Sequence, residues 1–296
     1  MAQLEAEQAL CDWLESHLDR FFPPGPVDSV ADWSIKIRPA CELSLVLFGL
    51  TGPRASASGT WARLASEKCQ ELLRPADQAL PEVIASGAAA SHNFKAALLV
   101  FIAIERITGR PFRSHGIVRA VFAMPPRNNP GPDLDHAIAA ELAGIHDYGP
   151  QMTRRLEALM RRYPSAPALA AAARPALYDV THACFLATRF GRRIPPWAAR
   201  HAAWLAQTLG PAAAARLPLG DLDVAAELTA AALWCGLPLN PRHQQVLNTL
   251  SRTAIAIGCI VPTIHFAPEA DPFDRAYHPT LIALAALSAA SRAQLS

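Results

Sequence analysis

Asp221-Leu222-Asp223-Val224-Ala225-Ala226-Glu227-Leu228-Thr229-Ala230-Ala231-Ala232-Leu233-Trp234-Cys235-Gly236 is the stretch on which the reading of the fold turns. Ala and Leu, both strong helix formers, dominate it. Asp221 is a side chain of the helix-capping type, and Gly236 stands where a glycine ends a helix in the left-handed conformation. Between them the segment is apolar nearly all round, and such a helix must be covered on every side. Its flanks differ. Roughly 197–209 and roughly 241–257 carry Arg, Gln or other polar residues on one face only, and Gly210-Pro211 and Pro238 separate them from the central segment.

The same alternation runs along the whole chain. The amphipathic segments are roughly 3–21, 60–74, 114–123, 150–162, 197–209 and 241–257. The apolar ones are roughly 38–50, 91–107, 133–147, 175–190, 221–236 and 277–291. Glycines sit at expected helix ends at Gly109, Gly149, Gly191, Gly210 and Gly236. Successive apolar segments start about 40 to 55 residues apart, the period of helical-hairpin arrays. The expectation is an all-α chain, a single helical domain over residues 1–296, made of six hairpins with the apolar helices inside. Closure into an (α/α)6-type toroid would cover the apolar faces; an open α-solenoid is the rival arrangement.

Composition narrows the function classes. The 296 residues are 51% apolar and 18% charged, with 27 basic against 25 acidic side chains. No basic block stands out, so nucleic acid is not an expected partner. No segment reads as a signal peptide or as a membrane span, and the six scattered cysteines read as reduced core thiols. These features predict a cytoplasmic protein with no membrane partner. Its oligomeric state is not legible. Phosphate-binding glycine loops, a G-x-S-x-G nucleophile elbow and an H-E-x-x-H zinc motif are all absent, and no cofactor is named.

Polar and ionisable residues gather at the starts of the apolar segments. They are Ser91-His92-Asn93, Asp133-Leu134-Asp135-His136, Tyr178-Asp179-Val180-Thr181-His182, Asp221-Leu222-Asp223 with Glu227, and Tyr277-His278, while Arg38 and Glu42 open the first. In a closed toroid the inner helices run parallel, so their N-termini would meet at one mouth together with their free amides. Capping alone explains Ser91, Asp133 and Asp221. It does not explain His182, Asp223, Glu227 and His278. The plain alternatives for these are a core histidine bonded to backbone and a buried Glu227 paired with an arginine such as Arg189. The Asp133/Asp135 and Asp221/Asp223 pairs also admit magnesium binding, although short acidic motifs at helix starts are common.

The segment Tyr178-x-x-Thr181-His182-x-x-Phe185-x-x-Thr188-x-Phe190-Gly191, with Asp223-x-x-x-Glu227-Leu228 and Tyr277-His278-x-Thr280-Leu281, resembles an uncharacterised, mainly actinobacterial family. That family is a domain of unknown function met in natural-product settings. Its pattern has an acid before the Phe-Gly pair, where this chain has Arg189. The resemblance implies a setting in specialised metabolism and supports the same residues as a site. Lanthionine-forming and terpenoid cyclases share the toroid shape only, and their zinc-ligand and D-x-D-D patterns are missing.

The expected function is therefore an enzyme using general acid–base chemistry on a small molecule or modified peptide. His182 and His278 would be the proton carriers, with Asp223 and Glu227 orienting or complementing them. Tyr178, Asp179, Tyr277, His92 and Asp135 would bind substrate. If a metal is present, His182, His278 and Asp223 would hold it. The alternative is a non-catalytic helical scaffold that binds a partner protein or peptide.

Overall fold

A computed structural model describes residues 2–22, 37–52, 57–85, 92–123, 140–145, 148–262 and 273–294, without the side chains of 57 and 92–97. The elements are α-helices, with two short 3-10 turns and no β-strand among the described residues. In chain order they are α1 (Ala2–Ser16), α2 (Arg38–Leu50), α3 (Ala57–Leu72), α4 (Arg74–Ala85), α5 (His92–Thr108), α6 (His115–Ala123) and α7 (Gly149–Arg162). There follow α8 (Ala166–Ala170), α9 (Arg174–Ala187), α10 (Pro196–Arg200), α11 (Ala202–Arg216), α12 (Leu222–Trp234), α13 (Pro241–Ile257) and α14 (Phe273–Gln294). No helix among the described residues is long and apolar enough to cross a membrane. All six cysteines are buried thiols.

The chain forms two compact units. One comprises Met1–Ser16, Gly52–Gly59 and Met152–Ser296; the other comprises His17–Thr51 and Thr60–Gln151. In the second unit α2 packs on α5, and α5 on α6. The buried Asp77 carboxylate accepts the amides of Arg113 and Ser114, both at 2.9 Å. These bonds satisfy donors at the start of α6 that the helix itself leaves unbonded. Glu105 does the same for the amide of Phe112 at 2.7 Å, and its other oxygen lies 2.6 Å from His115 Nδ1. Arg38 and Glu42, placed by the sequence at the start of an apolar helix, form an i,i+4 ion pair on α2 at 2.9 Å.

In the first unit α12 is the central helix. All of its residues are buried, and α9, α11, α13 and α14 pack around it. Removing each large apolar side chain from water is worth about 1.5–3 kcal/mol, so such a helix is stable only when enclosed. The amphipathic α13 buries one stripe, His243, Val246, Leu247, Leu250, Ser251 and Ala254, and turns its opposite face to solvent. Asp221 caps α12, accepting the Val224 amide, and Asn240 caps α13, accepting the amides of Arg242 and His243. At the other end of α14, Gln3 of α1 donates to Leu287 O at 2.8 Å and to Ser291 Oγ at 2.9 Å.

Helices α9 and α12 run in the same direction. Their starts meet at Tyr178 and Asp223, and their ends meet where the Phe185 and Trp234 rings lie edge-on at 4.8 Å. Beyond α9 the chain turns through three left-handed residues, Arg189 (φ 50), Phe190 (φ 54) and Gly191 (φ 77). Gly191 is required there for space as well as for φ, since a Cβ would stand 2.2 Å from the Trp234 ring.

Several sequence-predicted boundaries move. Gly210 does not end a helix: α11 runs through Gly210-Pro211 to Arg216. The glycine is there because His243 packs against it, and a Cβ would come within 2.7 Å of His243 Nε2. Gly149 begins α7 instead of closing the preceding segment. Helix α4, with Pro81 inside it, and the short α8 have no counterpart in the twelve expected segments. Proline and short length hid both from a reading based on periodicity and breakers.

Candidate functional site

The middle of α9 and the first two turns of α12 and α14 bring the site together. On α9, Tyr178, Thr181, His182 and Phe185 follow the i, i+3, i+4, i+7 spacing that places side chains on one face. On α12, Asp223 and Glu227 are one turn apart. His278 lies in the second turn of α14, just before Pro279, whose missing amide removes one helical hydrogen bond at that turn.

Glu227 is the hub. Its side chain is wholly buried, and His278 Nε2 stands 3.3 Å and His182 Nε2 3.7 Å from its Oε1. Its Oε2 accepts a short hydrogen bond from the Thr181 hydroxyl. Burial alone would raise this carboxyl, but the hydrogen bonds and charges of His182 and His278 outweigh it and hold Glu227 down to about 2. The two imidazoles are partly open to solvent, His182 at 44% and His278 at 27% of the side chain. The pairing with Arg189 suggested by the sequence is replaced by these histidines. The reason is positional: Arg189 lies past the far end of α9, in the left-handed turn.

Asp223 is the second carboxylate. Tyr178 donates its hydroxyl to Asp223 Oδ2 at 2.6 Å. The other oxygen, Oδ1, is buried and has no hydrogen-bond partner among the described residues, although His278 Nε2 is within ion-pair range at 3.4 Å. Burial pushes the Asp223 carboxyl up, His278 pulls it back, and the neighbouring Glu227 charge pushes it up again. Burial and Asp223 likewise push up the Tyr178 hydroxyl. The cluster therefore pairs a carboxylate held ionised with a carboxyl that retains its proton more readily. Divergent proton affinities of this kind distinguish acid from base.

Aromatic rings surround the pair. Tyr178 stacks on His182 at 5.9 Å and meets His278 edge-on at 6.5 Å. Tyr277 stacks on Phe273 at 5.5 Å and lies edge-on to His278 at 6.4 Å.

Thus the four residues predicted as catalytic, His182, Asp223, Glu227 and His278, meet in one cluster, with Tyr178 and Tyr277 beside them. Asp179 does not join them. It faces α7, where Arg155 Nη2 donates to its Oδ1 at 2.7 Å, because adjacent helical residues point about 100° apart. His92 opens α5 in the other unit and its side chain lies outside the described atoms. Asp135, Asp133, His136 and Ser91 lie outside the described residues. Among the described residues no group of three or more His, Cys, Asp or Glu side chains is disposed to hold a metal ion. The reading of His182, His278 and Asp223 as metal ligands gains no support from that arrangement.

Two residues of the cluster carry no role in the sequence reading. Thr181 was visible in the motif but unassigned; its hydroxyl fixes Glu227 Oε2. Arg174 was not singled out at all. It stands on α9 one turn before Tyr178, with Nη2 2.6 Å from Asp221 Oδ1 and 3.8 Å from Asp223 Oδ2. Its i,i+4 spacing to Tyr178 was the available signal. Other motif positions are structural. Thr280 accepts the Ile260 amide at 3.0 Å, and Thr188 accepts the Gly191 amide at 3.3 Å within the left-handed turn.

No curated protein and no solved structure matches this chain. A family model described as a domain of unknown function, DUF6895, matches residues 7–288, almost the whole length, and the chain belongs to that family.

Proposed function

We propose that this protein is an enzyme that moves protons on a small molecule or modified peptide by general acid–base chemistry. One observation carries the reading: two partly exposed imidazoles converge on a single oxygen of a fully buried, ionised carboxylate. A buried anion beside an imidazole orients the ring and stabilises its protonated form. His182, the more exposed, is the base or acid that meets substrate. His278, held between Asp223 and Glu227, is the second proton carrier. Tyr178 and Asp223 form the acid side of the pair, and Thr181 keeps Glu227 in register. Thr181 is buried and bonded to Glu227, so it does not serve as a nucleophile. A proton-transfer, elimination or hydration reaction fits these parts better than covalent acyl transfer.

The finer setting belongs to the same proposal. The site opens where the first two turns of α12 and α14 meet the middle of α9, in a cytoplasmic enzyme of specialised metabolism. The buried thiols suit a reducing compartment.

The test compares small-molecule mass profiles of cells producing the parent, His182→Gln, His278→Asn and no protein. The parent should create a product mass that both variants lose while they remain folded. A product that persists in both variants would remove the imidazoles from the chemistry. If the parent leaves the profiles unchanged but captures a folded partner, the protein is a scaffold instead.

A further inference from the structure

Asp221 is flanked by two guanidinium groups with different surroundings. Arg216 is 9% exposed; its Nη1 stands 3.7 Å from Asp221 Oδ2, and its Nη2 donates to the carbonyls of Ala170 at 2.7 Å and Ala172 at 2.9 Å. Those bonds give it a structural task, fastening the end of α8 to the start of α12. Arg174 is different. It approaches Asp221 side-on, Nη2 to Oδ1 at 2.6 Å and Nε to Oδ2 at 3.4 Å, while 42% of its side chain stays exposed. Those contacts use one side of the guanidinium fork. Among the described residues its Nη1 makes no hydrogen bond.

A purely structural ion pair does not account for this arrangement. Asp221 is already balanced by Arg216, by the Val224 amide and by the positive end of α12. An exposed pair of the Arg174 kind adds little stability. What Asp221 does supply is alignment, because it holds the guanidinium plane in one orientation beside Asp223. Asp223 in turn touches His278. The groups around the exposed edge of Arg174 are therefore Asp221, Asp223 and Tyr178, with Arg216 behind Asp221.

We infer that Arg174 is a substrate-recognition residue that binds an oxyanion of the substrate, a carboxylate or a phosphoryl group, and thereby selects anionic substrates. The inference rests on the reading of the His182–His278 cluster as the reaction site. A planar fork with a free edge matches two coplanar oxygens bidentately, which a lysine ammonium does not. An anion seated there lies one carboxylate away from His278, so recognition and proton transfer share Asp223. The readiness of Asp223 to keep a proton relieves the repulsion that an arriving anion would otherwise meet.

The experiment uses the full chain, with malonate and inorganic phosphate as probes and neutral malonamide as control. Phenylglyoxal modification of Arg174 is followed by peptide mass mapping, and the His182 and His278 ring signals by NMR. One probe anion should slow modification of Arg174 about fivefold at saturation and move the His278 signals with the same midpoint. Malonate acting at lower concentration indicates a carboxylate ligand, and phosphate a phosphoryl one. Arg174→Lys keeps the charge beside Asp221 but should weaken the anion about tenfold. Equal protection by malonamide, no protection by either anion, undiminished binding in Arg174→Lys, or protection that leaves the imidazoles unmoved would each overturn the inference. The parent measurements need no variant to fold. The response of the imidazoles to Glu227→Gln is read without any anion. If that response is present and protection is absent, this inference fails alone and the acid–base reading stands.

Discussion

Replacing Glu227 by Gln keeps the size and the Thr181 acceptor but removes the charge that two histidines hold. The effect follows from the proton affinity. Against an ordinary value of 4.5, Glu227 is held down to about 2 in the folded chain. Each tenfold change in proton affinity is worth about 1.4 kcal/mol, so the ionised form contributes about 3 kcal/mol at pH 7. The sign is that of a depressed carboxylate. The contribution is complete above about pH 4.5 and disappears as pH falls through about 2. The neutral amide of the Glu227→Gln variant has nothing to lose on acidification. Urea unfolding of both proteins, followed by tryptophan fluorescence, should give a gap of about 3 kcal/mol at pH 7, about half that at pH 3, and almost none at pH 2. In the same variant the His182 and His278 ring NMR signals should move from their positions in the parent, because the anion beside both rings is gone. A stability gap that does not change between pH 7 and pH 2 would refute the reasoning, since the loss would then be one of packing. So would a gap under about 0.5 kcal/mol at pH 7.

Four further outcomes are expected. Asp223→Asn should be more stable than the parent at pH 7, because it removes a buried charge while keeping an acceptor for Tyr178. A raised carboxyl favours folding only below its unfolded value, so this gain should vanish below about pH 3.8, and thermal unfolding against pH checks it. His182→Ala should cost about 1–2 kcal/mol in denaturant unfolding at pH 7, less than Glu227→Gln, because it removes one of the two imidazoles that hold Glu227 ionised while His278 remains and water reaches the 44% exposed position. Thr181→Val should cost about 1–3 kcal/mol by the same assay, since it strands a buried carboxylate oxygen. Gly210→Ala should lose about 1–3 kcal/mol through collision with His243, and the added His243→Ala change should recover part of it; an additive double variant would show that the two do not meet.

The sequence by itself determined the helical class and the apolar character of α12. It also determined that Asp223, Glu227 and His278 sit in the first two turns of their helices; His182, expected at a helix start as well, stands in the third turn of α9. Those features are local: 3.6-residue periodicity, capping residues and breakers lie within a few positions of one another. The two acids one turn apart on α12 and the Thr181-His182 pair on α9 were legible in the same way. Tertiary structure decided which groups pair. Glu227 meets His182 and His278, not Arg189; Asp179 turns toward Arg155; and Arg174, inconspicuous in the sequence, lies against Asp221 and Asp223. It also decided that α11 continues through Gly210-Pro211, which local rules read as a stop. The physical reason is common to all of these. Partner choice, burial and proton affinity depend on side chains 24 to 51 positions apart in the chain, and a helix passes a weak breaker when packing such as that of His243 favours it.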